Sequence, residues 1–216
     1  MRDVSEPYDI DRLIALGESI VERALAAGAD VAEAAVTEGA HLSAKVRLGK
    51  PELVEEAGSK AAGLRVMRGQ CVAVTSTSDL TEAGLRRFVE DAMELAQLAQ
   101  PDACAGPPPT ELLSRRSEHA NLDLFDATVE DLDAAGALEL ARRAERAALD
   151  ADARINNSEG ATVTRHAGAS ALVTGAGFRG GMRGTYASIV VNPVADDTDG
   201  KKRSPSSIFH SITIRF

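Results

Sequence analysis

Leu42, Ala44, Val46 and Leu48 alternate with Ser43, Lys45 and Arg47. A strict period of two puts successive side chains on opposite faces of an extended strand, so one face is buried and the other wet. The apolar run Val31 to Thr37 precedes this strand, and Glu38-Gly39-Ala40 reads as a break between the two. Leu64-Arg65-Val66 and Val72-Ala73-Val74 follow, on either side of Arg68-Gly69, where Gly supplies the positive φ of a hairpin turn. Residues 29–79 therefore read as a small antiparallel sheet. The acidic, irregular stretch Glu52 to Lys60 is a candidate edge strand within it.

Helices enter and leave this sheet. Ile10, Leu13, Ile14, Gly17, Val21, Ala24 and Leu25 share one face of a helix over 10–27, with Asp9 placed to cap it and Gly28 to end it. Asp79-Leu80-Thr81-Glu82 resembles a capping box, and Leu85, Phe88, Val89, Ala92, Ala96 and Ala99 continue a helix that Pro101 closes. Pro107-Pro108-Pro109 and the polar Ser114 to Glu118 then mark a surface linker. A third helix is expected over 129–149, capped by Thr128, with Gly136 inside it costing roughly 1 kcal/mol against Ala.

A second sheet follows the same grammar. Its runs are Thr162 to His166, Ala169 to Val173 and Tyr186 to Val191, and Glu159-Gly160-Ala161 echoes Glu38-Gly39-Ala40. Glu145-Arg146-Ala147 likewise echoes Glu22-Arg23-Ala24 in the helix before the first sheet. The fold class read from these patterns is α+β, with two related helix plus antiparallel-sheet units joined by a Pro-rich linker. The expected division is 1–100 for the first unit, 101–127 for the linker, 128–203 for the second unit and 204–216 for a non-native tail.

Gly175, Gly177, Gly180, Gly181 and Gly184 crowd one stretch between strands. They suit either a ligand cradle or a hairpin with glycines at its turn and bulges; the strand that follows favours the hairpin. His41 and His166 lie beside the two Glu-Gly-Ala segments, and each reads either as a general base or ligand on a sheet face or as a solvent-facing strand residue. The unpaired spacing of all four histidines favours the second reading, and no zinc motif such as HExxH is present. Asp196-Asp197-Thr198-Asp199 lacks the distal Glu of a calcium loop and reads as a solvated turn. Cys71 and Cys104 read as two free thiols, which suits a reducing cytoplasm. The net charge of -9 argues against a nucleic-acid surface, which needs clustered Lys and Arg. No apolar run approaches the length of a membrane span.

Ala27-Gly28-Ala29-Asp30-Val31-Ala32-Glu33, Gly63-Leu64-Arg65-Val66, Thr75-Ser76-Thr77-Ser78-Asp79-Leu80, Asn157-Ser158-Glu159-Gly160-Ala161, and Gly177-Phe178 through Thr185 to Ser188 follow one another along the chain. In that order they resemble the TldD/PmbA (TldD/TldE) family of bacterial metallopeptidase subunits. The likeness is nearer the PmbA/TldE branch and covers the family's N-terminal region. Family members are much longer, and the HExxxH-type metal motif of TldD lies in the part absent here, so no metal ligand carries over to any residue. The resemblance implies a cytoplasmic, non-catalytic subunit that encloses or presents unfolded peptide to a TldD-like partner. That partner, not this chain, would hold the zinc; no cofactor is expected here, and neither nucleic acid nor membrane is an expected partner.

The resemblance is read as stopping after Lys201-Lys202-Arg203. Ser204 to Phe216 is then either a non-native tail from a truncated reading frame, the preferred reading, or a terminal strand carried by Ile208, Ile212, Ile214 and Phe216. The residues offered for peptide or partner contact are His166, Arg179 and Arg183. An alternative function is a protein-binding or assembly module with no part in proteolysis, acting through its sheet edge or glycine hairpin. A hydrolase centred on His166 and the acidic loop is the third reading.

Overall fold

Asp9 opens the first helix as its position predicts. In a computed structural model of the chain, which describes residues 8–197, 199–205 and 207–211, its carboxylate accepts the N–H groups of Asp11 and Arg12 at 2.9 and 3.2 Å. The helix, α1 (Ile10–Ala26), ends in a Schellman arrangement. The Ala29 N–H reaches the Ala24 carbonyl and the Gly28 N–H reaches that of Leu25, both at 3.0 Å. Gly28 sits at φ +96°, where a Cβ would be strained. The next long helix, α2 (Glu82–Leu98), is capped by Thr81 and not by Asp79. The Thr81 hydroxyl accepts the Gly84 N–H, while the Asp79 carboxylate is occupied with the N–H and O–H of Thr81 itself. These bonds hold the Asp79 carboxyl below its usual range. Glu82 is thereby the first helical residue, and its carboxylate takes the Arg23 guanidinium of α1 in a two-pronged pair at 2.7 and 2.8 Å.

The strands are longer than the patterns suggest. They are β1 (Val31–Arg47), β2 (Lys50–Arg68), β3 (Cys71–Thr77), β4 (Ile155–Thr174), β5 (Arg179–Asp196), β6 (Lys202–Arg203) and β7 (Ser207–Ser211). Among the described residues they form a sheet in the order β3-β2-β1-β4-β5-β6, with β7 also paired to β5. Neither Glu-Gly-Ala segment is a break: Glu38-Gly39-Ala40 lies inside β1 and Glu159-Gly160-Ala161 inside β4. Gly160 serves close backbone approach, a role that leaves the strand running: a Cβ there would stand 2.7 Å from the Val46 carbonyl oxygen. A Cβ on Gly168 would stand 2.6 Å from the Glu38 carbonyl oxygen and 3.1 Å from the Gly39 Cα. Glu52 to Lys60 is the exposed first half of β2. Its end pairs with β3 through the two-residue turn Gly69-Gln70, with Arg68 opposite Cys71 and Gly69 at φ +59°.

The chain divides into two compact units built from interleaved segments, with β1, β2, β4 and β5 each lending a stretch to both. The first comprises Met1–Gly39, Ser59–Leu122 and Gly168–Arg183. Its core sets Leu13 and Ile20 of α1 and Phe88 of α2 against Val36, Leu64 and Val173 of the strands. The segment after α2 belongs to this unit: the Asp102 N–H reaches the Gln70 carbonyl at 2.9 Å, and Arg116 pairs with Asp11 at 2.6 Å.

The second unit comprises Ala40–Gly58, Asp123–Ala167 and Gly184–Phe216. Here the expected helix over 129–149 is two pieces, α3 (Ala127–Glu130) and α4 (Ala134–Leu149). Two aspartates explain the division. Asp126 accepts the Thr128 N–H and Asp133 accepts the Gly136 N–H, and two N-caps seven residues apart start two helices. Thr128 is a capped residue, not the cap. Ala137 and Ala141 of α4 lie against Leu42, Val46, Ala161 and Val163, the small side chains letting helix and sheet approach closely. In the expected tail, Ile208 stands opposite Val190 and Ser211 opposite Ala187, which is the strand alternative over 207–211. Ile212, Ile214 and Phe216 lie outside the described residues.

Candidate functional site

Alternation along the strands decides which polar side chains leave the core. In β1 the even positions from Leu42 to Val46 are buried, so His41 points to the opposite face. In β4 the odd positions Ala161, Val163 and Arg165 are buried, so His166 points away from them. The two imidazoles meet there with centroids 4.4 Å apart and planes tilted by 38°. The Tyr186 ring lies 6.2 Å from His166, tilted by 46°. Arg165 occupies the helix-facing side. Its Nε donates to the Leu132 carbonyl at 3.0 Å, and its guanidinium pairs with Glu56 at 3.4 Å.

Partial burial lowers the His166 pKa below the ordinary histidine value of 6.5, and the charges of His41 and Arg165 lower it further. The folded chain then binds a proton less readily than the unfolded one, so this group's contribution to stability is present above pH 6.5 and is lost as pH falls through the folded pKa. An imidazole NMR titration is expected to show His166 passing its midpoint below 6.5. A midpoint at or above that value would contradict the arrangement. A neutral imidazole accepts one hydrogen bond and donates another, so this pair can meet a peptide backbone, or offer lone pairs to a metal ion.

Nothing in the sequence signals that the two histidines form a pair. β1 and β4 are far apart in the chain, and the pairing between them is not set by a hairpin. Arg179 and Arg183 belong to the other compact unit. Arg179 forms an ion pair with Glu18 and donates to the Gly177 carbonyl at 3.1 Å.

The glycine cluster is a hairpin. The Thr174 N–H reaches the Phe178 carbonyl and the Gly177 N–H reaches that of Thr174, both at 3.0 Å, with Gly177 at φ +102°. A Cβ on Gly181 would overlap Ile10 Cγ2, so that glycine admits α1 to the strand. The acidic loop is occupied by its own cations: Arg203 pairs with Asp197 at 2.9 Å and Lys201 with Asp199 at 3.0 Å. Both cysteines are free, Cys71 half-buried and Cys104 exposed. Among the described residues no three His, Cys, Asp or Glu side chains are grouped to hold a metal ion, and no helix is long and apolar enough to cross a membrane.

Two family models match in order along the chain: PmbA/TldA metallopeptidase domain 1 over residues 32–96, and the PmbA/TldA metallopeptidase central domain over 127–212. The second match runs past Arg203, beyond the point where the sequence pattern alone ends the resemblance. The chain is 40% identical over 127 residues to a metalloprotease PmbA homolog of Haemophilus influenzae, covering 59% of this chain and 27% of that protein. It is 34% identical over 162 residues to metalloprotease PmbA of Escherichia coli O157:H7, covering 75% of this chain and 35% of that one. The chain thus spans about a third of the length of the curated relatives it matches.

Among solved structures, TldE from Thermococcus kodakarensis superposes with a TM-score of 0.73 at 14% identity, covering 94% of this chain and 43% of that one. A protein of Bacteroides thetaiotaomicron, described as a candidate modulator of DNA gyrase, gives 0.78 at 18% identity, covering 94% and 45%. At these identities the likeness shows the fold.

Proposed function

The chain belongs to the PmbA/TldD metallopeptidase family, as its first and central domains, and from that premise we propose that it is the N-terminal, non-catalytic part of a PmbA/TldE-like subunit. Its role in this reading is to enclose or present unfolded peptide to a zinc site on a TldD-like partner in the cytoplasm. The observation that carries the reading is the succession of the two family regions together with 34% identity to PmbA over 162 residues. A catalytic zinc takes three protein ligands and keeps a position open. Among the described residues no such trio is assembled, and the reading assigns the zinc to the partner. His166, Arg179 and Arg183 are the side chains offered to peptide or partner.

The test is to mix the purified chain with a TldD-like subunit and an unfolded peptide. A stable complex with an altered rate of cleavage is expected; no complex and unchanged cleavage would sink the proposal. The exposed first half of β2 favours a second reading, a protein-binding module outside proteolysis: β3 pairs with β2 over Ala62–Arg68, and a strand edge that runs on past its neighbour accepts another strand. That reading expects stable partners other than a TldD-like protein in a pull-down.

A further inference from the structure

We propose that His41 and His166 together form a two-imidazole binding site for a borderline divalent transition-metal ion, of the Zn²⁺, Ni²⁺ or Cu²⁺ class. The proposal does not depend on the family role. It starts from the placement of two imidazoles on neighbouring strands with centroids 4.4 Å apart. Imidazole nitrogens sit about 2.0–2.1 Å from a bound zinc, which places two of them about 3 Å from each other. Rings already 4.4 Å apart and tilted by 38° reach that spacing through rotation about χ2, a broad torsion with little cost.

The backbone beneath the rings is held in place. Arg165, next to His166, is buried and tied to the Leu132 carbonyl. Further along β4, Gly160 lies so close to β1 that a Cβ would be 2.7 Å from the Val46 carbonyl oxygen. Ligands fixed by their supporting structure bind with less ordering cost. Histidine must be neutral to ligate, which is why binding is measured in slightly alkaline buffer. His166 is the more exposed of the two rings and His41 the more covered, so an ion reaches both from solvent and keeps water in its other positions. Nitrogen donors without carboxylates select against the hard ions Ca²⁺ and Mg²⁺, which take oxygen ligands.

The experiment is isothermal titration of the full chain with ZnCl₂ and NiCl₂ in slightly alkaline buffer, with CaCl₂ and MgCl₂ as controls. His41→Gln, His166→Gln and His119→Gln are titrated in parallel, and circular dichroism reports whether each is folded. One ion per chain is expected, with binding weakened by an order of magnitude or more in His41→Gln and in His166→Gln, unchanged in His119→Gln, and absent for Ca²⁺ and Mg²⁺. If a variant is unfolded, imidazole ¹⁵N shifts of the unsubstituted chain decide: Zn²⁺ must move the His41 and His166 resonances together. No binding by the unsubstituted chain, dependence on one histidine alone, or shifts confined to other side chains overturns the site.

Discussion

Glu145→Ala is expected to lower stability by about 2–4 kcal/mol, because it removes a buried carboxylate that holds two backbone donors. Glu145 lies on α4 and is 1% exposed. Its oxygens accept the N–H of Leu48 at 2.9 Å and that of Gly49 at 2.8 Å. Those two residues form the turn between β1 and β2, at φ +49° and +76°. This is the geometry of a two-residue hairpin turn whose twist matches its strands, but Leu48 carries a Cβ in the left-handed region, where most residues are strained. The carboxylate offsets that strain, and Arg142 adds a bond from its Nε to the Gly49 carbonyl at 3.3 Å. Each bond to a charged group contributes about 1.5–3 kcal/mol. Both turn residues are exposed, so water replaces part of what the substitution removes. For a chain of this size the loss corresponds to a fall in Tm of roughly 5–15 °C by calorimetry. Glu145→Gln keeps one oxygen acceptor and is expected to cost about half as much. A Tm unchanged by Glu145→Ala would show that the contact contributes nothing.

Glu145 also marks the boundary of what the sequence makes legible. Local signals are readable because their partners lie within a few residues. Asp9 caps α1 and Gly28 ends it, and the hairpin from β2 to β3 turns at Gly69-Gln70, one residue beyond the expected Arg68-Gly69. The family, too, is legible from segments such as Asn157 to Ala161, and the matches to the two domains show it. The competition between Asp79 and Thr81 for one helix end is harder to resolve, because either side chain suits a cap; a hydrogen bond from Thr81 to Asp79 settles it. Leu48 extends the strand's alternation by one apolar residue, which conceals the turn immediately after Arg47. The Glu-Gly-Ala segments look like turns because glycine has two uses, positive φ and close approach, and sequence does not distinguish them. The His41–His166 pair is least visible, since it depends on pairing between strands more than a hundred residues apart.

Gly160 carries both uses of glycine at once, and its substitution is the second large effect expected. Gly160 lies at φ +114° inside β4. A Cβ there would stand 2.7 Å from the Val46 carbonyl oxygen, a backbone atom that cannot yield without moving β1, and 2.8 Å from Lys45 Cε, which can. The surrounding bonds fix the segment further. The Gly160 N–H donates to the Ser158 hydroxyl at 2.9 Å, and Arg47 donates to the Ser158 carbonyl at 3.1 Å. Gly177 is the matched control. It sits at φ +102° in the open turn between β4 and β5, with nothing within 4 Å of an added methyl. Gly177→Ala then tests backbone strain alone, about 1–3 kcal/mol. Gly160→Ala adds the displacement of a strand to the same strain and is expected to cost about 3–5 kcal/mol. Denaturant melts of the two variants measure the difference. Equal losses would mean that β1 moves aside freely, and that its close approach to β4 does not fix the strand pairing that brings His41 to His166.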